Sequence, residues 1–384
     1  MILEFKIKNY RSVRDEQVLS FEATKDKTLE EHYVVTKNKT RVLKMAIMYG
    51  ANASGKTNIL LALDFLRDLI LNPKVNKEDK TGYIPFLLDD FSKGQNGHFE
   101  ISFFIDQNLF NYRIELNANY IVSEKLMYYP GSRPALIFHR TYDETRELTQ
   151  MEYGSKINLK STDKAVLQGN TIRNMSVVSA FSKTNIDFRE LEMVYHYFRN
   201  EVMRLVQPGT NLFGWTSKKV EESEQTMDFI LNLLNNADFN ITKINLKERE
   251  FELDDVKKSS IESSNIPTQE KEKLLSKDKI KLKEFYFTHL VNKKENYELP
   301  IFLESAGTQR YYGLGGVLND ALKHDRCLLI DEIENSLHPD LVVHFINTFL
   351  VNSREAQLIF TTHDLNIMEE QDSLRKDVIW FTEK

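Results

Sequence analysis

Met45-Ala46-Ile47-Met48-Tyr49-Gly50-Ala51-Asn52-Ala53-Ser54-Gly55-Lys56-Thr57 decides how this chain of 384 residues is read. Residues 50–57 fit the phosphate-binding loop pattern: a glycine, four free positions, then Gly-Lys-Ser/Thr. A glycine at each end lets the backbone fold round a phosphate with several amide hydrogens pointing inward. Lys56 is then placed to reach the β- and γ-phosphates, and the Thr57 hydroxyl to ligate magnesium. The flanks agree. Residues 45–49 read as a short buried strand, and residues 58–66 carry apolar side chains at helical spacing, so a helix N-terminus faces the phosphates. The competing reading is a chance glycine turn before a helix, and the strand–loop–helix context argues against it.

Composition bounds the rest. Hydrophobic residues make up 41% and charged residues 28%, which is a globular balance with ample material for a core. The single cysteine, Cys327, excludes an intrachain disulfide and fits a reducing cytosol. No run approaches the roughly eighteen apolar residues of a membrane span, and the N-terminus lacks a signal-peptide pattern. The net charge of −6 gives no global attraction to nucleic acid, so any such contact needs a local basic patch. The expectation is a soluble, cytoplasmic protein without a membrane partner.

Along the chain, Ile2, Leu3, Phe5 and Ile7 set against Glu4, Lys6 and Lys8 predict a strand with one solvated face. Residues 18–21 read as a returning strand and residues 24–44 as a polar loop. Residues 99–105, 110–116 and 121–128 alternate with period two between polar turns, and residues 136–140 extend the series. They predict an antiparallel β meander on the N-terminal half. Residues 190–206 and 221–234 read as helices separated by Pro208-Gly209, and residues 241–251 as a strand. Residues 254–279 are a charged Ser/Lys/Glu-rich stretch, read as a mobile surface insert. Six lysines between 271 and 283 leave two readings open, a solvated face and a phosphate-contacting patch. Residues 284–291 and 298–303 read as strands, and residues 304–309 lead into a helix through Leu322. Cys327-Leu328-Leu329-Ile330 is a fully apolar run ending in Asp331-Glu332, a buried parallel strand with two acids at its carboxyl end. Residues 341–351 form a helix, residues 357–361 a strand that stops before His363, and residues 378–381 a last strand. No internal repeat or Cys/His metal spacing occurs.

These pieces converge on one nucleotide. Asp331 is placed to hold Mg2+ through its carboxylate or a coordinated water. Glu332 is free to act as base or water-orienter for in-line attack on the γ-phosphorus. His363 can touch the γ-phosphate or the attacking water. Taken singly, Asp331-Glu332 could cap a turn and His363 could be an ordinary hydrogen-bonded histidine; the order of all the pieces favours the nucleotide.

That order (phosphate loop, Ser-x-Gly-Thr turn, apolar strand ending Asp-Glu, strand ending in histidine) resembles the ABC-class ATPases, and within them the RecF/SMC branch. Leu3-Glu4-Phe5-Lys6-Ile7-Lys8-Asn9-Tyr10-Arg11-Ser12 and Gly55-Lys56-Thr57-Asn58-Ile59-Leu60 are similar to that branch's opening and loop signatures. The stand-alone ATP-binding proteins of phage-defence and abortive-infection loci, of the RloA/AbiL type, are more similar still. The carrying residues are Glu304-Ser305-Ala306-Gly307-Thr308-Gln309-Arg310-Tyr311, Leu329-Ile330-Asp331-Glu332-Ile333-Glu334-Asn335-Ser336-Leu337-His338-Pro339 and Thr361-Thr362-His363-Asp364. The resemblance covers both ends well and the middle poorly.

The resemblance implies an ABC-type P-loop ATPase of α/β class with a helical and charged insert, with ATP and Mg2+ as cofactors. Gly50, Asn52, Ser54, Gly55, Lys56, Thr57 and Asn58 would bind the nucleotide; Thr57 and Asp331 would hold the metal; Glu332, His363 and Lys56 would be catalytic. Ser305 and Gly307 correspond to a signature loop that reaches the γ-phosphate across a homodimer interface, and residues 336–340 to the D-loop. Arg11 resembles an arginine that contacts nucleotide phosphate; a plain surface arginine is the alternative. Ala53 replaces a glycine common in the loop, and Glu304 and Ala306 depart from the transporter-type signature. The Q-loop glutamine has no clear position.

The expected organisation is an N-terminal ATPase lobe over 1–185, a helical and charged insert over 186–283, and a C-terminal lobe over 284–384. Three functions compete. The first is an ATP-driven dimer switch of an anti-phage or abortive-infection system, acting on a separate effector such as a TOPRIM-type nuclease. A TOPRIM domain follows the ATPase in related OLD-type nucleases, whereas residues 364–384 alone follow His363 here. The second is a RecF/SMC-like DNA-repair ATPase that binds nucleic acid. The third is a nucleotide-binding scaffold without turnover.

Overall fold

The computed structural model describes residues 1–131, 133–237, 239–252, 258–259, 262, 271–272, 275–276, 279–292, 295–369 and 374–383. Contacts divide the chain into two compact units, one of residues 1–210 with 320–384 and one of residues 211–319. The segment limits expected at 186 and 284 fall inside these units.

In the first unit, β5 (Met45–Gly50) is buried through Tyr49. It lies in a four-stranded parallel sheet with β14 (Cys327–Ile330), β15 (Gln357–Thr361) and β16 (Ile379–Thr382), in the order β14–β15–β5–β16. Residues 202–206 extend it. The predicted helix over 190–206 stops early: the α-helical part is Arg189–His196, a π-helical turn follows at Tyr197–Glu201, and Val202 and Val206 then bridge in parallel to Cys327 and Ile330. Both valines are buried, and β-branched side chains on a pleated surface outweigh a helical spacing read from sequence alone.

The expected meander is present and larger. Strands β1 (Ile2–Lys8), β2 (Gln17–Ser20), β6 (Gly97–Ile105), β7 (Asn108–Leu116), β8 (Ile121–Tyr129), β9 (Ala135–Asp143) and β10 (Leu148–Tyr153) form a seven-stranded antiparallel sheet, ordered β10–β9–β8–β7–β6–β1–β2. Phe99, Ile101 and Phe103 face the core opposite Ile114, Tyr112 and Phe110. The other face carries a charged row, Lys6–Glu100–Arg113–Lys125 in register, so the alternation is core on one side and water on the other. The 24–44 segment, expected to be a polar loop, contains a hairpin of β3 (Val34–Lys37) and β4 (Thr40–Leu43). Asn38 and Lys39 close it with φ of 43° and 71°, a tight turn made without glycine.

Helix Lys56–Leu71 touches β1 on one side and β5 and β15 on the other. Its Phe65 lies 5.5 Å from the Tyr10 ring and 5.4 Å from that of Phe99. Two buried amides join the layers. Gln357 accepts from the Ile2 amide at 2.5 Å and donates to the carbonyls of Ile2 and Leu43 at 2.8 and 3.0 Å. Asn9 donates to Ser92 and Gln95 carbonyls, each at 2.9 Å, and accepts from the Phe86 amide at 3.0 Å.

In the second unit, β11 (Ile241–Glu252), β12 (Lys279–Val291) and β13 (Glu295–Pro300) form an antiparallel sheet. Strand β12 begins five residues before the expected 284, and its lysines stand by register opposite glutamates: Lys283 opposite Glu248 and Lys279 opposite Glu252. Cross-strand opposite charges hold such a ribbon without apolar alternation. Most of the insert expected over 254–279 lies outside the described residues, as do two of the six lysines between 271 and 283, Lys273 and Lys277. The predicted helix over 221–234 is two helices, Phe213–Glu222 and Glu224–Asn236, divided at Ser223, whose hydroxyl accepts from the Thr226 amide. Among the described residues no helix is long and apolar enough to cross a membrane.

One fully buried ion pair sits in the first unit. Glu124 accepts from the Tyr112 hydroxyl at 2.8 Å, from the Val177 amide at 2.9 Å and from Arg140 at 3.4 Å. Arg140 also donates to the Met175 and Arg173 carbonyls at 2.9 and 3.0 Å. Burial pushes the Glu124 carboxyl above its usual range, with the Arg140 charge opposing it. We expect Arg140→Met alone to destabilise the protein by about 3–5 kcal/mol, since it strands a buried carboxylate, and Glu124→Gln/Arg140→Met to recover part of that loss. Urea unfolding of the two variants checks this.

Candidate functional site

The site lies at the carboxyl ends of the parallel strands. The loop after β5 begins at Gly50, where a Cβ would run into the Thr382 hydroxyl and come within 2.6 Å of Ser54 Oγ and the Thr382 carbonyl. Gly55, at φ 98°, caps helix Lys56–Leu71. Ala53, which stands where a glycine is common, takes φ 61°, a left-handed conformation that costs a residue with a Cβ about 1–2 kcal/mol. Asn52 is exposed.

Lys56 is 5% exposed. Its ammonium donates to the Gly50 and Ala51 carbonyls at 2.7 and 3.2 Å and lies 3.4 Å from His363 Nδ1. Burial lowers its pKa below the ordinary lysine value, while Glu334, Asp331 and Glu332 pull the other way. An ammonium held by neutral loop carbonyls can exchange them for charged phosphate oxygens.

Asp331 follows β14, and its backbone amide donates to the Val206 carbonyl at 2.9 Å. Its Oδ1 accepts from the Thr57 hydroxyl at 3.0 Å and from the Thr361 hydroxyl at 2.7 Å. Thr361 in turn accepts from the Glu332 amide at 2.8 Å. One threonine thus orients both acids, and Glu332 turns out of the strand direction with φ 47°. His363 follows β15; its side chain is exposed and its amide donates to Glu334 Oε1 at 2.7 Å.

Thr361 and Glu334 had no role assigned from sequence. Thr361 ends an apolar strand, where a hydroxyl facing inward is itself a signal. Glu334 repeats the acid of Asp331-Glu332 two residues on. The turn after β1 adds Ser12, which accepts from Asn58 Nδ2 at 2.6 Å and lies 3.1 Å from where a Gly55 Cβ would be. Its neighbour Arg11 rests on Tyr10, with its guanidinium 5.6 Å from the ring centre and Nε donating to the hydroxyl at 3.1 Å. Ser305 and Gly307 belong to the second unit. There the Ser305 hydroxyl accepts from the Thr308 amide at 3.1 Å, capping the helix that starts at Ala306.

The donor set fits Mg·ATP. The Thr57 hydroxyl and Asp331 carboxylate are hard oxygen ligands. Among the described residues no group of three or more His, Cys, Asp or Glu side chains is placed to hold a metal. The two oxygens of Thr57 and Asp331 suit Mg2+, which takes one or two protein oxygens and completes its shell with phosphates and water. Three buried oxygens, Tyr49 Oη, Glu334 Oε2 and Asp364 Oδ2, also have no hydrogen-bond partner. Burial raises the Tyr49 hydroxyl above its ordinary range, and Asp364 and Glu334 add to the effect.

Residues 45–369 match the family model described as AAA domain, putative AbiEii toxin, Type IV TA system. The chain belongs to this family. Its AAA domain therefore spans both the phosphate loop and the strands that bear Asp331 and His363. No curated protein matches the chain. Among solved structures it is similar to the SMC head domain from Thermotoga maritima, at 11% identity and TM-score 0.41, over 96% of this chain and 91% of that one. It is also similar to an SmcHead bound to the C-winged helix domain of ScpA, at 13% identity and TM-score 0.38, over 96% and 91%. A third is the Smc head domain with an extended coiled coil bound to the C-terminal domain of ScpA derived from Pyrococcus furiosus, at 12% identity and TM-score 0.38, with the same coverage.

Thr361→Val removes a donor and an acceptor at once. We expect it to lower stability by about 1–3 kcal/mol and to weaken Mg2+-dependent nucleotide binding, with Thr361→Ser restoring both. Thermal unfolding and calorimetric titration with Mg·ATP measure the two effects.

Proposed function

We propose that this protein is a Mg2+-dependent ATPase of the ABC class that closes head-to-tail on ATP and uses hydrolysis as a switch for a separate effector. The observation that carries the reading is that three different strand ends bring Lys56 within hydrogen-bonding distance of His363 and Thr57 within hydrogen-bonding distance of Asp331. Bound Mg·ATP supplies the electrophilic γ-phosphorus and a cation that spreads its negative charge. Lys56 would exchange its carbonyl partners for phosphate oxygens, and Thr57 and Asp331 would hold the metal. Glu332 orients and deprotonates the attacking water. His363, its backbone held by Glu334, would contact the γ-phosphate. Arg11 is an outer phosphate contact once it leaves Tyr10.

Ser305 and Gly307 of a second copy complete the pocket, so ATP binding and dimerisation are one event. The family's description concerns toxin–antitoxin systems, and together with the RloA/AbiL resemblance this supports a cytoplasmic anti-phage or abortive-infection role. The effector is then a separate protein, such as a TOPRIM-type nuclease.

Four outcomes test this. Glu332→Gln should bind ATP, lose about 10²- to 10⁴-fold in turnover and accumulate as a dimer or larger assembly by light scattering; unchanged turnover would remove Glu332 from its role. Lys56→Ala should lose nucleotide affinity. Turnover stimulated by DNA and falling steeply with salt would move the assignment to a repair ATPase, and binding with no phosphate release under any condition would make the chain a scaffold.

A further inference from the structure

Strand β16 is the edge of the parallel sheet, and its last residue pairs with the first residue of the phosphate loop, Thr382 with Gly50. The Thr382 hydroxyl lies 2.6 Å from Ser54 Oγ and donates to the Tyr49 carbonyl at 3.2 Å. It occupies the space a side chain on Gly50 would need. One side chain from the far end of the chain thus touches the loop before its first glycine and again just before Gly55-Lys56. The strand is held at its other end too. Arg375, 1% exposed, donates to the Thr28 and Asp26 carbonyls at 2.5 and 3.1 Å. Its partner Asp377 accepts from the Thr24 amide at 3.0 Å and from the Thr24 hydroxyl at 2.8 Å. A strand pinned at both ends can transmit its position to whatever its tip touches.

We propose that Thr382 is a positioning residue of the phosphate loop, holding Ser54 so that the loop amides are arranged for phosphate before nucleotide arrives. This makes β16 a strap across the nucleotide site, through which a shift of residues 375–382 alters nucleotide affinity. The inference rests on the ATPase reading for its ligand and on the loop contacts for its geometry.

The test measures ATP and ADP affinity of Thr382→Val, Thr382→Ser, Ser54→Ala and the double variant Ser54→Ala/Thr382→Val, with amide hydrogen exchange over residues 51–56. Losing this hydrogen bond should weaken both nucleotides about three- to tenfold, through affinity rather than turnover at saturation. Thr382→Ser should restore binding, and the double variant should be no weaker than the worse single variant, because both changes break one contact. Parent-like affinity in Thr382→Val, multiplying effects in the double variant, or failure of serine to rescue would each overturn the proposal. Should the unaltered protein bind neither nucleotide, the ATPase reading fails and exchange decides this one. Faster exchange over residues 51–56 in Thr382→Val upholds the positioning role, and unchanged exchange overturns it.

Discussion

Strand β5 is hydrogen-bonded in parallel on both sides, to β15 and to β16. Successive side chains of Met45-Ala46-Ile47-Met48 are also fully buried, so both faces of the strand are covered and its residues must be apolar. Parallel neighbours also point their carboxyl ends the same way. The chain leaving β14, β5 and β15 therefore emerges along one rim, where Asp331, the phosphate loop and His363 stand together. The Oδ1 atom of Asp331, shared by Thr57 and Thr361, is the closest expression of that geometry: one carboxylate oxygen ties the first turn of the loop's helix to the end of the next strand.

What was legible in the sequence is what local pattern controls. The loop spacing, the period-two alternation of the meander and the apolar run before Asp331 each reflect a constraint within about ten residues. The features that were not legible depend on partners far along the chain. Val202 and Val206 sit at helical spacing, and only the presence of Cys327 and Ile330 beside them draws them into a sheet. Lys279 and Lys283 of β12 leave both a solvated face and a phosphate-contacting patch open until Glu252 and Glu248 are set opposite them. Asn38-Lys39 closes a hairpin without glycine, so composition gave no turn signal. Thr361, Glu334 and Thr382 are ordinary residues in strands or turns, and their contacts at the site arise from sheet order alone.

The polar groups of the first unit fall into two kinds, and the contrast bears on where the protein changes state. In the frame, Gln357, Asn9 and Glu124 are buried and fully engaged with backbone or with each other's neighbours. Removing any of these partners leaves an unmet donor or acceptor in a low dielectric, so these joints resist rearrangement and hold the layers in register. At the rim, Lys56 is engaged with two carbonyls of its own loop and with the His363 ring, while Tyr49, Glu334 and Asp364 each keep a buried oxygen with no partner. Buried polar atoms left unmet in a native fold mark a place where another group is accommodated. Single unmet atoms also occur in the frame, at Arg140 Nε and Asn174 Oδ1, but the three joints named above are satisfied without a ligand and the rim is not, so the free energy of binding acts on the rim, on the loop and on the strands whose ends it touches.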